Sequence, residues 1–403
     1  MRILKGGIVA PDGFYASGVH CGLKKKKLDL ALIYSEVKCN ASAMFTKNIV
    51  KGNPIIVCKE ALIDGKAQAI IINSGNANTC TGEDGLIKAH YMTELVAKAM
   101  ELDKVDVLVA STGVIGVPLD VSLIEDSIET LKEGLSRTGN INAREAIMTT
   151  DLIHKEVAVS INIFGKEVKI GAMAKGSGMI EPNMATMLAF ITTDINIENS
   201  LLNSALNIAV NKSFNLISVD GDSSTNDSVF IMANGLAKNE IIDSENDYYF
   251  EFVDALTYVC VELSKLIASD GEGATKLIEC RVLGCKNELE GINIAKAVIK
   301  SSLVKTAIFG SDANWGRILC AMGYSGIEFI ENKVKLAFES SRGYIEVFKE
   351  GIPIEFDETK AKEILKDDDI SIIIDLNMGN EKAVAWGCDL SYEYIRINGD
   401  YRS

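Results

Sequence analysis

The chain has 403 residues, 47 % hydrophobic and 24 % charged, and its 56 acidic against 41 basic side chains leave a formal net charge of −15. This composition supports a sizeable core and excludes the basic footprint of a nucleic-acid or anionic-membrane binder. Nine scattered cysteines without a C-x-x-C pair and only three histidines fit neither a disulfide framework nor a multi-histidine metal site.

The length allows two or three domains or one large layered unit. The amino-terminal MRILKGGIVAPDG meets Gly, Pro and Asp before a signal-peptide stretch can develop, and no window approaches the ~18 apolar residues of a membrane span. The expectation is a cytoplasmic protein with buried, reduced thiols. The basic run Lys24–Lys27 reads as a solvated turn or helix face. Asp84–Met100 is the first strong helical pattern, with Leu86, Ile87, Leu95 and Val96 at helical spacing. Val105–Val109 reads as a strand that breaks, at Thr112-Gly113, into a turn before helix Val121–Leu135. Such a turn can aim an N–H outward and let a ligand come close, or it can be an ordinary strand-to-helix connection. The polar stretch Arg137–Ala143 is one candidate domain boundary. Glu156–Ile163 and Glu167–Met173 alternate around Phe164-Gly165-Lys166 as a hairpin.

Further along, Thr186–Thr192 predicts a strand and Asn199–Val210 a helix started by Asn199. Asp220–Asp227 looks like a hard-cation loop but lacks the glutamate an EF-hand requires, so it reads as a polar turn before strand Val229–Met232. Lys238–Tyr248 is a second candidate boundary, followed by a helix over Asp254–Ala268 that starts at Asp254. Strand Leu277–Leu283, helix Ile292–Ser302 and strands Ile327–Ala337, Ile345–Phe356 and Ile370–Asp375 follow, with Asn314–Arg317 read as packing near the site. Strand runs, helix runs and hairpins together predict a layered α+β fold.

The most unusual stretch is Lys175-Gly176-Ser177-Gly178-Met179-Ile180-Glu181-Pro182-Asn183-Met184-Ala185-Thr186-Met187-Leu188-Ala189-Phe190. It is a glycine-rich turn leading through Pro182 into an apolar strand. Composition alone reads it as a surface loop; the phosphate-loop pattern is absent, since Lys175 precedes the glycines.

That segment, KGSGMI-x-PNMATML, resembles the ornithine acetyltransferases of arginine biosynthesis (glutamate N-acetyltransferase, ArgJ type). Supporting blocks are Asn73–Asn78, Ser111–Gly116, Met148–Asp151, Asp270–Lys276, Asp312–Arg317 and the terminal Asn398–Ser403. The resemblance implies a layered α/β sandwich resembling N-terminal nucleophile hydrolases, with ArgJ/DmpA-like topology. It implies self-cleavage between Ala185 and Thr186, giving an α chain of residues 1–185 that carries the oxyanion hole and a β chain of residues 186–403. Thr186 would be the nucleophile, Thr112 and Gly113 the oxyanion hole, and Thr150, Lys175, Thr186, Glu272, Asn398 and Ser403 the substrate contacts.

The chemistry suits those residue types. A threonine hydroxyl needs a base, and an N-terminal α-amino group, which ordinarily titrates at ~7.7–8.0, supplies one on the same residue. Lys175 can pair with a substrate carboxylate and Glu272 with the ornithine ammonium. The implied substrates are N2-acetylornithine and glutamate, with no metal or organic cofactor and acetyl-CoA as an alternative donor. The implied assembly is a heterotetramer of two α and two β chains. A self-processing amidohydrolase or aminopeptidase with the same nucleophile is the alternative activity, and a non-enzymatic binding protein the third reading.

Overall fold

In the computed structural model, which describes residues 1–181 and 187–399, two β-sheets organise two units of the chain. The first unit comprises Met1–Gly176, Pro182–Asn215 and Asp222–Leu263; the second comprises Ser177–Glu181, Leu216–Gly221 and Ser264–Ser403. The α+β layering expected from the sequence is present. Neither unit follows the division at Ala185–Thr186.

Among the described residues, the first unit's sheet has nine strands. Its order is Arg2–Leu4, Lys155–Ile163, Lys166–Lys175, Leu188–Thr193, Ser228–Ala233, Leu30–Phe45, Lys66–Asn76 and Val107–Val114, with Phe14–Val19 paired to Leu30–Phe45. Consecutive residues Leu30 to Ile33 and Ala69 to Ile72 are all buried, so both faces of the sheet are covered. Leu188–Thr193 runs antiparallel to Lys166–Lys175 and parallel to Ser228–Ala233. Phe190 stacks on Phe230 across that parallel pair, with ring centroids 5.5 Å apart. The expected hairpin forms with a tighter turn: Ile163 pairs with Lys166, leaving only Phe164 and Gly165, both at positive φ, in the loop.

Among the described residues, the second unit's sheet has seven strands, in the order Ile352–Pro353, Gly343–Lys349, Lys335–Ser340, Asp369–Asp375, Leu277–Cys285, Glu381–Cys388 and Ile217–Ser218. Ile278, Cys280, Val282, Phe338, Ile372 and Ile374 share a core with residues of helices Glu288–Lys300, Ser302–Phe309, Trp315–Gly323 and Glu358–Leu365.

Several expected boundaries move. The helix read from Asp254 begins seven residues earlier, spanning Asp247–Ser269, because Asn246 accepts the Tyr249 amide (3.0 Å) and Tyr249, Phe252 and Val253 extend its buried side. This start also occupies the end of the expected Lys238–Tyr248 boundary. The other proposed boundary, Arg137–Ala143, runs into helix Asn140–Ile147. Asn199 is inside its helix rather than capping it, since its Nδ2 donates to Gly65 O at 2.6 Å. Ser301, accepting from the Val304 amide, ends one helix and starts the next where a single Ile292–Ser302 helix was expected. Strand pairing in the Ile327–Ala337 region starts only at Lys335, and the Ile345–Phe356 strand is cut to Gly343–Lys349 and Ile352–Pro353 by a turn at Glu350-Gly351. No helix among the described residues is long and apolar enough to cross a membrane.

Candidate active site

Thr112 and Gly113 are the sixth and seventh residues of strand Val107–Val114, not part of a turn after Val109 as the sequence suggested. The strand runs parallel to Lys66–Asn76, and its register slips where Asn76 faces both Thr112 and Val114. Gly113 has φ +135°, and a Cβ there would lie 2.3 Å from the Gly75 carbonyl carbon. Only glycine fits both constraints.

A buried asparagine frame fixes this corner. Asn226 Nδ2 donates to Ala77 O (2.6 Å) and Ser111 O (2.9 Å), while its Oδ1 accepts from the Thr79 and Thr225 hydroxyls at 2.5 and 2.6 Å. Ser111 Oγ donates to Asn73 Oδ1 (2.6 Å), and Asn73 Nδ2 donates to Asn76 O (2.9 Å). Three of these four bonds hold backbone or hydroxyls of residues 77–79 and 111, and the fourth holds the adjacent Thr225 hydroxyl. Sequence reading missed this residue, which it placed in a polar turn before strand Ser228–Ala233.

Lys175 closes the Lys166–Lys175 strand and is only 6 % exposed. Close by in charge are Asp151 (2 % exposed) and Lys155 (1 % exposed). Asp151 Oδ1 accepts from Lys155 Nζ and from Gly176 N, both at 2.7 Å, and Oδ2 accepts from Thr149 N at 2.9 Å. Burial pushes the Asp151 carboxyl up, but the Lys175 and Lys155 charges, the Lys155 hydrogen bond and the Thr149 amide outweigh it and hold it well below the usual range. Lys24 feels the same field. Burial lowers its ammonium to about 8, with Lys27 and Lys175 adding to the drop and Asp29 and Asp151 opposing it. Asp29 is itself committed to the amides of Cys21, Gly22 and Lys24. The surroundings of Lys175 therefore suit an added carboxylate. Thr150, half-buried, lies in this Thr149–Asp151 bend.

Glu272 and Asn398 belong to the second unit, and the structure brings them together: Asn398 Nδ2 donates to Glu272 Oε2 at 2.8 Å. Glu272 is only 7 % exposed. Its amide donates to Ser177 O, and its carboxyl packs on Gly178, where a Cβ would come within 2.3 Å of it. Asp220 pins the same turn by accepting from the Met179 and Ile180 amides (2.6 and 2.8 Å) and from the Tyr394 hydroxyl (3.2 Å). Asp220–Asp227 thus forms the polar connection expected before a strand, and no cluster able to hold a metal ion occurs among the described residues. Asn314 caps helix Trp315–Gly323 by accepting from Arg317 N at 3.2 Å. The predicted Ala185, Thr186 and Ser403 lie outside the described residues.

A family model described as the ArgJ family matches residues 15–403. The arginine biosynthesis bifunctional protein ArgJ of Caldanaerobacter subterraneus subsp. tengcongensis is 52 % identical over 404 residues, covering 100 % of both chains. Among solved structures, the arginine biosynthesis bifunctional protein of Bacillus halodurans is 48 % identical with a TM-score of 0.50, covering 52 % of this chain and 97 % of its own. The ornithine acetyltransferase of Mycobacterium tuberculosis, solved with ornithine, is 37 % identical with a TM-score of 0.42, covering 45 % of this chain and 98 % of its own.

Proposed function

The chain belongs to the ArgJ family, and from that premise we propose that it moves the acetyl group of N2-acetyl-L-ornithine to L-glutamate through an acetyl-Thr186 intermediate. The observation that carries this reading is the 52 % identity over the full length of a protein named for arginine biosynthesis. That relative is also named bifunctional, which supports acetyl-CoA as a second acetyl donor. The chain first cleaves itself at Ala185–Thr186. The Bacillus halodurans chain supports this: nearly all of it matches just over half of the present chain, about the length of a piece starting at Thr186. The two pieces are proposed to stay together and to pair into a heterotetramer in the cytoplasm.

In the reaction, Thr186 Oγ1 attacks the acetyl carbonyl while its own α-amino group takes the proton. Thr112 and Gly113 receive the developing oxyanion, which the rigid asparagine frame suits, because preorganised donors need no reorganisation as charge develops. Lys175, in its cationic surroundings, holds the α-carboxylate; Thr150 assists. Glu272, with Asn398, takes the ornithine ammonium, and Ser403 adds a hydroxyl. Ornithine leaves and glutamate's amine attacks the acetyl ester, restoring Thr186. No metal or organic cofactor enters.

Because both amino acids need the same carboxylate-binding groups, ornithine leaves before glutamate enters. Double-reciprocal plots are expected to be parallel. Acetylornithine alone leaves one acetyl group on the fragment beginning at Thr186, seen by intact mass after acid quench, and glutamate discharges it. Intersecting lines with no trappable adduct would overturn the covalent relay.

Thr112→Ala and Lys175→Ala separate two kinds of contribution, once each variant is checked for cleavage. Losing a group that shapes the oxyanion hole lowers kcat by about 10²–10³-fold. Losing the Lys175 charge, which binds ground and transition states alike, appears mainly as a raised KM. Wild-type kcat in mature Thr112→Ala removes that residue from the role.

A further inference from the structure

Asp227 takes no part in the chemistry above, yet it is only 3 % exposed and lies in the same unit as Thr112 and Lys175. Among the described residues its Oδ2 has no hydrogen-bond partner. A buried carboxyl with one oxygen unsatisfied costs free energy that an apolar side chain at the head of a strand would not. Its place is fixed by the backbone: Thr46 N donates to Asp227 O (3.0 Å), and Ser228 N donates to Met187 O (3.1 Å). Strands Ser228–Ala233 and Leu188–Thr193 run parallel with Ser228 opposite Leu188, so Asp227 stands at the level of Met187. The Met187 amide faces the Asp227 carboxyl. Three covalent bonds separate that nitrogen from the nitrogen of Thr186, which puts the two within about 4 Å whatever the backbone conformation. That second nitrogen is the leaving group of the Ala185–Thr186 bond.

Among the described residues, the Ser224 and Thr46 hydroxyls and the Lys175 charge also act on the carboxyl. Burial pushes the acid well above its ordinary value, and the Met187 amide, the Lys175 charge and the two hydroxyls pull the other way without overcoming it. Asp227 thus holds its proton to higher pH than a solvated aspartate.

We propose that the Asp227 carboxyl is the proton donor to the Thr186 nitrogen during self-cleavage. This rests on the processing reading above. Thr186 Oγ1 bonds to the Ala185 carbonyl carbon, and the carbon–nitrogen bond breaks. Asp227 gives its proton to the departing nitrogen and regains one from the Thr186 hydroxyl. The result is an ester between Ala185 and Thr186 Oγ1 with a free Thr186 amine. Water then hydrolyses the ester to the Ala185 carboxylate and the Thr186 hydroxyl.

The test is the rate at which freshly translated full-length precursor is cleaved, followed on denaturing gels from pH 5 to 9, for wild type, Asp227→Asn and Asp227→Glu. Asp227→Asn, of equal size, should slow cleavage about 10²-fold or more, the span of a positioned acid, and flatten the fall in rate that wild type shows as pH rises. It should be folded by circular dichroism and melt no lower than the wild-type precursor at pH 8. A raised folded pKa means that ionisation opposes folding as pH rises above the unfolded value, and the amide removes that penalty. Asp227→Glu should restore part of the rate with a shifted pH profile. Cleavage of Asp227→Asn at the wild-type rate and with the wild-type profile overturns the proposal. If the Asn variant fails to fold, an unshifted profile in folded Asp227→Glu overturns it equally. A wild-type precursor that never cleaves overturns the processing reading instead.

Discussion

Thr186→Ala is expected to give one uncleaved polypeptide that releases no ornithine from acetylornithine. On the mechanism proposed above, the substitution removes the hydroxyl that would attack the Ala185 carbonyl and, with it, the amine that would serve as base in turnover. Losing the nucleophile of an acyl-transfer enzyme costs on the order of 10⁶-fold in kcat, so turnover should fall below detection. Thr186→Ser keeps the hydroxyl and should both cleave and turn over, more slowly. The measurements are a denaturing gel, an intact mass and ornithine release on the same preparation. Full turnover in the alanine variant would place the nucleophile elsewhere.

The parts of this molecule that a sequence reveals are those whose packing is one-sided. Val121–Glu133 and Asn199–Asn211 bury one stripe each, Ile124, Ile128 and Leu131 in the first and Leu202, Ala205, Leu206 and Ala209 in the second, and their periodicity shows it. Strands Leu30–Phe45 and Lys66–Asn76 were invisible to the same test. Leu30–Ile33 in the first and Ala69–Ile72 in the second are buried on both faces, so runs such as Ala69-Ile70-Ile71-Ile72 carry no alternation. The site divides the same way. Lys175 and Glu272 were named only through the family resemblance of their segments, and Gly178 proves to be the residue that leaves room for the Glu272 carboxyl. Asp151, Asn226 and Asp227 were not legible as buried groups. Polar residues ahead of a strand usually face water, and only the fold shows that Thr225, Asn226 and Asp227 do not.

Asp151→Ala should be the most destabilising single change near the site. It leaves Lys155 Nζ and the neighbouring Lys175 charge without the buried carboxylate that faces them, and strips the Gly176 and Thr149 amides of their acceptor. Breaking a buried pair by removing one partner costs about 3–5 kcal/mol, because the remaining charge stays desolvated. Asp151→Asn should cost less, since its amide oxygen can still accept from a backbone N–H, but it cannot neutralise the lysines. The pH dependence gives a second reading of the same group. Its folded pKa lies below the unfolded value of about 3.9, so its contribution is complete at neutral pH and is lost as pH falls below about 5. Thermal unfolding at pH 7 should therefore show a large loss in both variants, and at pH 4 a smaller gap from wild type. A wild-type melting temperature in Asp151→Ala would mean that Lys155 and Lys175 find other partners at no cost. The functional consequence follows from connectivity: the Gly176 amide that Asp151 anchors is the next residue after Lys175, on the path to Ala185. A variant that loses this anchor should mature slowly even below its melting temperature, whereas a purely thermal defect would leave the rate of cleavage at 15 °C unchanged.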